Sequence, residues 1–427
     1  MNSTHTLTDV RAKLARREIS AVEATRDCLQ KIASENDELR TFICVREREA
    51  LAEAEVIDAD GNRRGALSGI PIAVKDLIDV RGVPTTAASR VLEDAAPATE
   101  DATCVARLRA AGAIIIGKSN LHEFAYGGSV VVSAYGAARN PLDRRRVCGG
   151  SSSGSAAAVA AGMCCGALGT DTAGSIRLPA ACCGIVGFKP TWGAVPVAGV
   201  IPLAWSYDHL GPLARTVEDA AELYAVLAAE PLAWAETTGL RCGVVRKYFC
   251  EGLAPEVEAG FERAVEAARG LGWQISEIEL EVSEDRRASN AESWAFHERW
   301  VAERESLYDR RTLPRIVNGK KVRVEDYIEA RRELELTRER WHGGADGVDV
   351  VLTPTVPILP PMVEDFDGPE ARRLELVLLR DTRPFNVLGW PTISVPCGPM
   401  VGVQVSAGWG KDWLVLSAAR ELERATG

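Results

Sequence analysis

The chain has 427 residues, of which 46% are hydrophobic and 26% are charged, as in globular proteins with a large core. Its 60 acidic and 50 basic residues give a net charge of −10, which argues against a basic surface for nucleic acid. No apolar run reaches the roughly 18 residues that a membrane-spanning helix needs. Residues 1–20 contain no apolar segment of the signal-peptide kind. We therefore expect a cytoplasmic protein that neither binds nucleic acid directly nor enters a membrane.

The cysteines and histidines do not suggest a metal site. Eleven cysteines occur without a C-x-x-C pair, and five histidines occur without an H-x₃₋₅-H spacing. A reduced cysteine behaves as a small buried apolar residue, and the adjacent pairs at 164–165 and 182–183 stand where alanine or valine would also fit. The sequence predicts no disulfide, no metal and no cofactor.

The first half of the chain alternates predicted helices and strands. Apolar residues spaced near 3.6 predict helices over 7–18, 21–36, 46–59 and 101–112. Ser20 and Glu23 have the spacing of a capping box at the start of the second helix. Short apolar runs predict strands over 41–45, 72–78 and 113–116. This alternation favours an α/β fold built around a sheet.

The second half continues the alternation and then becomes highly charged. It contains predicted helices over 215–230 and 254–270 and near 412–425, and predicted strands over 240–249, 273–280, 386–398 and 401–406. Residues 284–343 are rich in charge and tryptophan with long helical patterns, and 348–362 form a buried strand that enters a proline-rich loop. Because no repeat and no clear linker appears, we expect one large domain.

Lys75 lies within the apolar run IAVKDLI. Burial disfavours the charged form of a lysine, so it lowers the pKa toward that of a usable base. The alternative is a lysine on an edge strand that reaches solvent or pairs with Asp76 or Asp79. The spacing of the residues alone leaves both interpretations open.

Residues 148–189 consist almost wholly of small residues and hydroxyls. The segment contains the helix candidate AAAVAAGM and the apolar run IRLPAACCGIVGF, and a solvated linker would use neither. Glycine permits tight backbone conformations, and small side chains let segments approach closely. The stretch therefore predicts a preorganised site that holds a serine nucleophile against backbone N–H donors.

Two formal motif matches lack the context that their chemistry requires. GAIIIGKS at 112–119 fits the pattern of a phosphate-binding loop, but AIII is an apolar strand rather than a loop with exposed amides. GSSSG at 150–154 fits the pattern of a nucleophile elbow, but PLDRRRVCG precedes it instead of a hydrophobic strand. Neither His209, His297 nor His342 lies in a setting that marks the base of a Ser-His-Asp triad.

The longer motifs together resemble the amidase signature family. Its usual segments occur in their usual order as GIPIAVKDLIDVRGVPT, GKSNLHEFAYG, GGSSSGSAAAVAAG, GALGTDTAGSIRLPAACCGIVGFKPT, DHLGPLARTVEDAA, TPTVP and NVLGWPTISVPCG. The resemblance implies a single large domain over 1–427, with a central mixed β-sheet flanked by helices and a core at 65–215. It is weakest across about 230–345, the region that varies with substrate in this family.

The resemblance also implies the parts of an active site. The nucleophile corresponds to Ser175, the bridging serine to Ser151 after a cis peptide bond, and the base to Lys75. The oxyanion is expected to be surrounded by the backbone N–H groups of Thr172, Ala173, Gly174 and Ser175. The acyl side of the pocket is expected to be lined by Phe124, Ala125, Tyr126, Gly127 and Gly128. Ser153 and Ala173 stand where the family usually has glycine. Asp171 and Arg177 are expected to orient the loop, and His209 to be a structural histidine.

The implied function is hydrolysis of a C–N bond in a small amide, urea or carbamate through an acyl-enzyme. YDHLGPLA also resembles amidases that act on biuret-like compounds. The arginines at 372, 373, 380 and 383 are candidates to bind a substrate carboxylate, but we favour their interpretation as a solvated helix face. The alternative is the glutaminase A subunit of a tRNA-dependent amidotransferase, which usually has D-Q where this chain has Asp208-His209. A non-catalytic scaffold is disfavoured because all three triad positions are filled. A homo-oligomer or a complex with a small accessory protein chain stays open.

Overall fold

A central mixed β-sheet organises the chain. The computed structural model describes residues 6–60 and 65–426. Its strands are β1 Phe42–Val45, β2 Pro71–Lys75, β3 Ile114–Ser119, β4 Arg139–Asn140, β5 Asp143–Val147, β6 Gly166–Asp171, β7 Val186–Lys189, β8 His209–Ala214, β9 Arg241–Val244, β10 Gln274–Glu277, β11 Val350–Pro354, β12 Thr392–Gly398 and β13 Val401–Ser406. Eleven of them form one sheet in the order β1-β3-β2-β6-β8-β7-β12-β13-β11-β9-β10, and β4 pairs with β5.

The sheet is parallel at two places and antiparallel elsewhere. Strand β2 runs parallel to both β3 and β6, and β9 runs parallel to β10 and β11. The six other pairs in the sheet are antiparallel. The central strands are buried along their whole length, as expected for a sheet covered on both faces.

Helices cover the sheet and extend from it. They are α1 Leu7–Ala15, α2 Ala21–Leu39, α3 Glu47–Asp60, α4 Thr103–Ala110, α5 Ser153–Ala160, α6 Arg177–Cys183, α7 Val217–Ala228, α8 Pro255–Gly270, α9 Arg287–Arg304, α10 Leu313–Val317, α11 Val324–Arg340, α12 Ala371–Leu378, α13 Pro384–Leu388 and α14 Asp412–Thr426. The α/β architecture expected from the sequence is confirmed.

The observed boundaries follow local chain chemistry. The Ser20 hydroxyl accepts the N–H of Glu23, and the Glu23 carboxylate returns to the N–H of Ser20, so the expected capping box begins α2. The strand predicted over 386–398 is wrong in its first part. There Pro384 begins α13, Gly389 ends it in a left-handed conformation, and β12 starts only at Thr392.

The carboxyl ends of β3, β2 and β6 lie side by side. Lys75 ends β2 and Asp171 ends β6, while α5 begins at Ser153, the third of three successive serines. Side chains at the ends of parallel strands meet at one edge of a sheet. Gly154 allows the close approach of α5, because a Cβ there would collide with the backbone of Asn120. The fold thus brings distant parts of the small-residue stretch to the same edge.

Two broader expectations bear on partners and ligands. No helix in 6–60 or 65–426 is long and apolar enough to cross a membrane. The same residues hold no group of three or more His, Cys, Asp or Glu side chains that could bind a metal ion. The expectation that no secretory signal is present rests partly on residues 1–5, which lie outside the described residues.

Candidate active site

Lys75 is the centre of a buried cluster of hydroxyls. Its Nζ lies 2.8 Å from Ser151 Oγ, 2.9 Å from Ser152 Oγ and 2.8 Å from Thr170 Oγ1. Burial lowers the pKa of Lys75 to about 7, although the charges of Asp171 and Asp208 act in the opposite direction. The lysine is therefore in the sheet interior rather than on an edge strand, and above its pKa it is a free amine.

The three hydroxyls around Lys75 are not equivalent. The Ser152 hydroxyl donates to the carbonyl oxygen of Thr170 at 3.1 Å, so its proton is already used. A neutral amine donates two hydrogen bonds and accepts one. The proton that Lys75 accepts must then come from Ser151 or Thr170. This arrangement separates Ser151 from its neighbour Ser152.

The backbone brings the segment of Ser151 to that of Ser175. The Gly150–Ser151 peptide bond is cis, as the resemblance implies. The carbonyl oxygen of Ser151 accepts the N–H of His122 at 3.2 Å, and the N–H of Ser152 donates to the carbonyl oxygen of Ser175 at 3.2 Å. Two of the three expected triad residues thus touch directly, and the third is held beside them by a backbone hydrogen bond.

The turn before Ser175 is fixed by a buried ion pair. The Asp171 carboxylate accepts the N–H of Gly174 at 2.8 Å and of Ile176 at 3.0 Å. The Arg177 guanidinium binds the same carboxylate through Nε at 3.1 Å and Nη2 at 3.0 Å. Burial alone would raise the pKa of Asp171, but Arg177 holds it well below its usual range. These bonds orient the turn, as expected for Asp171 and Arg177.

A second set of contacts ties the turn to the carboxyl-terminal part of the chain. Arg177 Nη1 donates to the side-chain oxygen of Gln404 at 2.8 Å, and Nη2 donates to that of Asn386 at 2.7 Å. The Thr382 hydroxyl donates to the carbonyl oxygen of Ala173 at 2.7 Å. Fully satisfied buried networks of this kind are rigid, so the turn has one geometry.

The expectation that the backbone N–H groups of residues 172–175 surround an oxyanion needs one correction. The N–H of Gly174 already points to the Asp171 carboxylate, so it does not face an oxyanion. Gly174 has a φ of +129°, and a Cβ there would collide with Thr382. Glycine is thus required at this position for the shape of the turn. The N–H groups of Thr172, Ala173 and Ser175 have no acceptor within the described residues and stay available to a ligand.

A cavity of about 780 Å³ opens over Ser175. Thr172, Ala173 and Ser175 line one part of it, and Ala125, Tyr126 and Gly127 line another. Ser175 itself is 6% exposed, so its hydroxyl is reached only through this cavity. A deep cleft with a few convergent polar groups is the usual form of a site for a small molecule.

Phe124 and Gly128 do not line this cavity, which corrects the expectation for the segment. The Phe124 ring lies behind the wall, edge-on to His297 with 4.6 Å between ring centres and 5.6 Å from Tyr308. Phe124 has a φ of +48°, which turns its side chain into an aromatic cluster while the next residues face the cavity. It supports the wall rather than forming it.

Six arginines line the cavity: Arg286, Arg310, Arg311, Arg315, Arg372 and Arg383. The interpretation of residues 372–383 as a solvated helix face is therefore wrong for Arg383, which is half-buried in the cavity wall. Arg372 lines the cavity and still has 47% of its side chain exposed. The interpretation holds for Arg373, whose side chain is 81% exposed. Arg380 donates instead to the carbonyl oxygens of Phe249 and Glu251.

Sequence reasoning did not identify Thr170 as a partner of Lys75, nor the arginines that precede α9 and α10. Thr170 was hidden because β6 consists of small residues and shows no hydrophobic alternation. His209 Nδ1 lies within hydrogen-bond distance of the carbonyl oxygens of Tyr207 and Asp171, and burial lowers the pKa of the ring well below the usual value. The ring is therefore neutral and held by backbone carbonyl oxygens, which fits the structural role that the sequence favours.

Comparison with known proteins identifies a matching family model, related sequences and a related structure. The family model described as Amidase matches residues 23–416. The A subunit of the glutamyl-tRNA(Gln) amidotransferase of Roseiflexus sp. (strain RS-1) is 38% identical over 450 residues, which cover 94% of this chain and 91% of that protein. An amidase of Pseudomonas putida is 39% identical over 423 residues, which cover 92% and 89%. A crystal structure of an amidase aligns with a TM-score of 0.92 at 33% identity, covering 99% and 100% of the two chains.

Proposed function

Because this chain belongs to the amidase signature family and is a hydrolase of carbon–nitrogen bonds other than peptide bonds, we propose that Ser175, Ser151 and Lys75 form its catalytic triad. Ser175 is the nucleophile, Ser151 the bridging serine and Lys75 the base. The single observation that carries the assignment is the 2.8 Å contact between Lys75 Nζ and Ser151 Oγ, made by a lysine with a pKa of about 7. A base whose pKa lies near the working pH is the most effective one.

The proton path follows from these roles. Lys75 Nζ accepts the proton of Ser151, and Ser151 Oγ accepts the proton of Ser175 as Ser175 Oγ attacks the amide carbon. Collapse of the tetrahedral intermediate breaks the C–N bond, and the proton returns through Ser151 to the departing nitrogen. The product acyl group is then an ester of Ser175. Water attacks that ester with the same base and releases the carboxylic acid.

Three backbone N–H groups would stabilise the oxyanion in this mechanism. They belong to Thr172, Ala173 and Ser175, and each would donate to the carbonyl oxygen as it becomes negative. One donor of this kind is worth about 10²- to 10³-fold in rate. The Asp171–Arg177 pair holds the turn that presents them. The donors are thus in place before the substrate binds.

The substrate that we propose is a small amide or a urea-like compound of the biuret type. A cavity of about 780 Å³ accommodates a molecule of this size. We assign the chemistry to the core at 65–215 and substrate choice to the helical region at about 230–345. The enzyme is proposed to be cytoplasmic and to act without a cofactor, alone, as a homo-oligomer or with a small accessory protein chain.

The second candidate is the glutaminase A subunit of a tRNA-dependent amidotransferase. The observation that favours it is the 38% identity to the A subunit of a glutamyl-tRNA(Gln) amidotransferase over nearly the whole chain. Against it stands Asp208-His209, where those subunits usually have D-Q. Glutaminase activity that requires tRNA and partner subunits would select this candidate over the free-standing amidase.

The test is a substrate panel of aryl amides, aliphatic amides, glutamine and carboxybiuret, assayed with wild-type protein and with Ser175→Ala. We expect wild type to release ammonia or an amine from at least one compound, and the variant to lose at least about 10⁴-fold in kcat. Equal activity of the two proteins on every substrate would refute the triad. Ser34→Ala is a matched control, because Ser34 is exposed on α2 and does not line the cavity.

A further inference from the structure

The charged side chains of the cavity are strongly unbalanced. Its six arginines face one lining carboxylate, Asp367, which is 83% exposed and lies 3.8 Å from Arg311. Arg315 and Arg372 both bind the Glu375 carboxylate behind the wall, at 2.6 and 3.3 Å. These pairs account for three of the six arginines.

Arg286, Arg310 and Arg383 form no ion pair within the described residues, and of these three Arg310 is exposed whereas Arg286 and Arg383 are half-buried. Arg383 donates to the carbonyl oxygens of Ser283, at 2.5 Å, and Asp285. Those two neutral contacts fix the direction of its guanidinium without cancelling its charge. The Arg286 side chain donates no hydrogen bond to the part of the chain that the structure describes.

The nearby carboxylates of Glu284 and Asp285 form no ion pair with Arg286 or Arg383 within the described residues. Asp285 binds Arg287 at 2.9 Å, and Arg287 also binds Glu329 and Glu333 of α11. Glu284 is exposed and forms an ion pair with neither cavity arginine within 6–60 and 65–426. Burial lowers the pKa of both Arg286 and Arg383, and the positive charge of Arg383 lowers that of Arg286 further. The charge of Glu284 raises the pKa of both arginines, and that of Asp285 raises the pKa of Arg383, so these carboxylates offset the lowering in part. The two guanidiniums are thus close and partly desolvated, and neither forms an ion pair within the described residues.

We propose that Arg286 and Arg383 bind a carboxylate of the substrate, so that the preferred substrate is a small amide that also carries a carboxylate. A guanidinium matches a carboxylate with two parallel hydrogen bonds, and a half-buried position strengthens them. The amide carbonyl lies at Ser175 in the same cavity while the carboxylate lies at the arginines. This inference rests on the proposed amidase function and narrows its substrate class.

The experiment compares acid amides with neutral molecules of the same shape. The monoamides of malonic, succinic and glutaric acid carry one carboxylate, and the corresponding diamides carry none. We expect wild type to hydrolyse at least one monoamide with kcat/KM about tenfold or more above its diamide. Arg286→Met and Arg383→Met should each reduce that ratio about tenfold or more, chiefly through KM.

Two controls keep the outcome interpretable. Arg373→Met removes a neighbouring arginine that is exposed and bound to Glu370 at 3.1 Å, and it should leave the ratio unchanged. Arg286→Met removes a side chain without hydrogen bonds to described residues, so its Tm should stay near that of wild type. Equal kcat/KM for monoamide and diamide, or a preference that survives both arginine substitutions, would overturn the proposal.

A binding measurement separates this proposal from the assigned function. The Ser175→Ala protein is titrated with each monoamide and diamide by calorimetry. Tighter binding of a monoamide, lost in Ser175→Ala/Arg286→Met, would support the carboxylate site even if wild type hydrolysed none of these compounds. Hydrolysis that depends on Ser175 without any preference for the carboxylate would instead leave the amidase function standing and refute the site.

Discussion

The hydroxyl cluster at Lys75 and the arginine-lined part of the cavity are neighbours that differ in how their charged groups are paired. In the first, Asp171 and Arg177 are fully buried and bind each other. Lys75 has three hydroxyl partners and a pKa of about 7, so it loses its charge near neutral pH. In the second, Arg286 and Arg383 are half-buried and form no ion pair with a described carboxylate.

The difference separates chemistry from substrate choice. The Lys75 cluster is built from strand ends and small residues, and its buried polar groups are bound to one another, which fixes one geometry. The arginines come from the segments before α9 and α13, and their unmet charge is left for a ligand. A rigid reactive centre beside a separate group of arginines allows the amide chemistry to stay while the part of the substrate that the arginines bind varies.

The largest expected effect tests whether Ser151 and Ser152 differ as their hydrogen bonds imply. Ser151→Ala should reduce kcat about 10³-fold, because the proton path from Ser175 to Lys75 is broken. Ser152→Ala should reduce kcat only about tenfold, because the Ser152 proton is committed to the carbonyl oxygen of Thr170. Single-turnover rates on one substrate provide the comparison. Equal losses in the two variants would show that the bridging role is not assigned correctly.

A smaller effect is expected at the turn that joins the two regions. Gly174→Ala introduces a Cβ against Thr382, which directly precedes Arg383. We expect kcat/KM to fall about 10²-fold and the free energy of unfolding to fall by about 2 kcal/mol or more. Gly193→Ala is the control, because Gly193 also has a positive φ, +82°, but no atom within 4 Å of an added Cβ. If both variants lost the same activity, the contact with Thr382 would not matter.

The smallest effect is the pH dependence of the Lys75 cluster alone. Lys75 is protonated below its pKa of about 7 and then has no lone pair for the Ser151 proton. We expect kcat/KM to be constant above that pH and to fall about tenfold per pH unit below it. The profile should be the same for a monoamide and its diamide, since the arginines stay charged throughout. A profile flat between about pH 5 and 9 would contradict a lysine base.

The sequence predicted the hydroxyl cluster at Lys75 and its serines better than the arginine-lined part of the cavity. Lys75 was marked by its place in an apolar strand, and the resemblance supplied Ser151 and Ser175. The sequence could not show which backbone N–H groups of residues 172–175 are available to an oxyanion, because only the fold shows that the Asp171 carboxylate accepts the N–H of Gly174. Phe124 was assigned to the wall because the direction of a side chain on a left-handed residue cannot be inferred from a motif.

The arginine-lined part of the cavity could be anticipated only in part, at Arg372 and Arg383, and for these the sequence favours a solvated helix face. Its members lie in separate segments between residues 286 and 383, and each segment alone has the pattern of an exposed charged helix. What sets Arg286 and Arg383 apart is that they combine partial burial with the lack of an ion-pair partner within the described residues, whereas Arg310 also lacks such a partner but is exposed. Both are properties of the folded chain. Charge pairing is thus the information that the sequence pattern did not contain.

The most direct test of the central claim is the position of a covalent label. A fluorophosphonate reacts with an activated serine, and peptide mass spectrometry then identifies the residue that carries it. We expect the label on Ser175 in wild type, and no label in Ser175→Ala or when Lys75 is replaced by methionine. Labelling of Ser152 or Ser151 in wild type, or unchanged labelling of Ser175 without the Lys75 amine, would contradict the proposed triad.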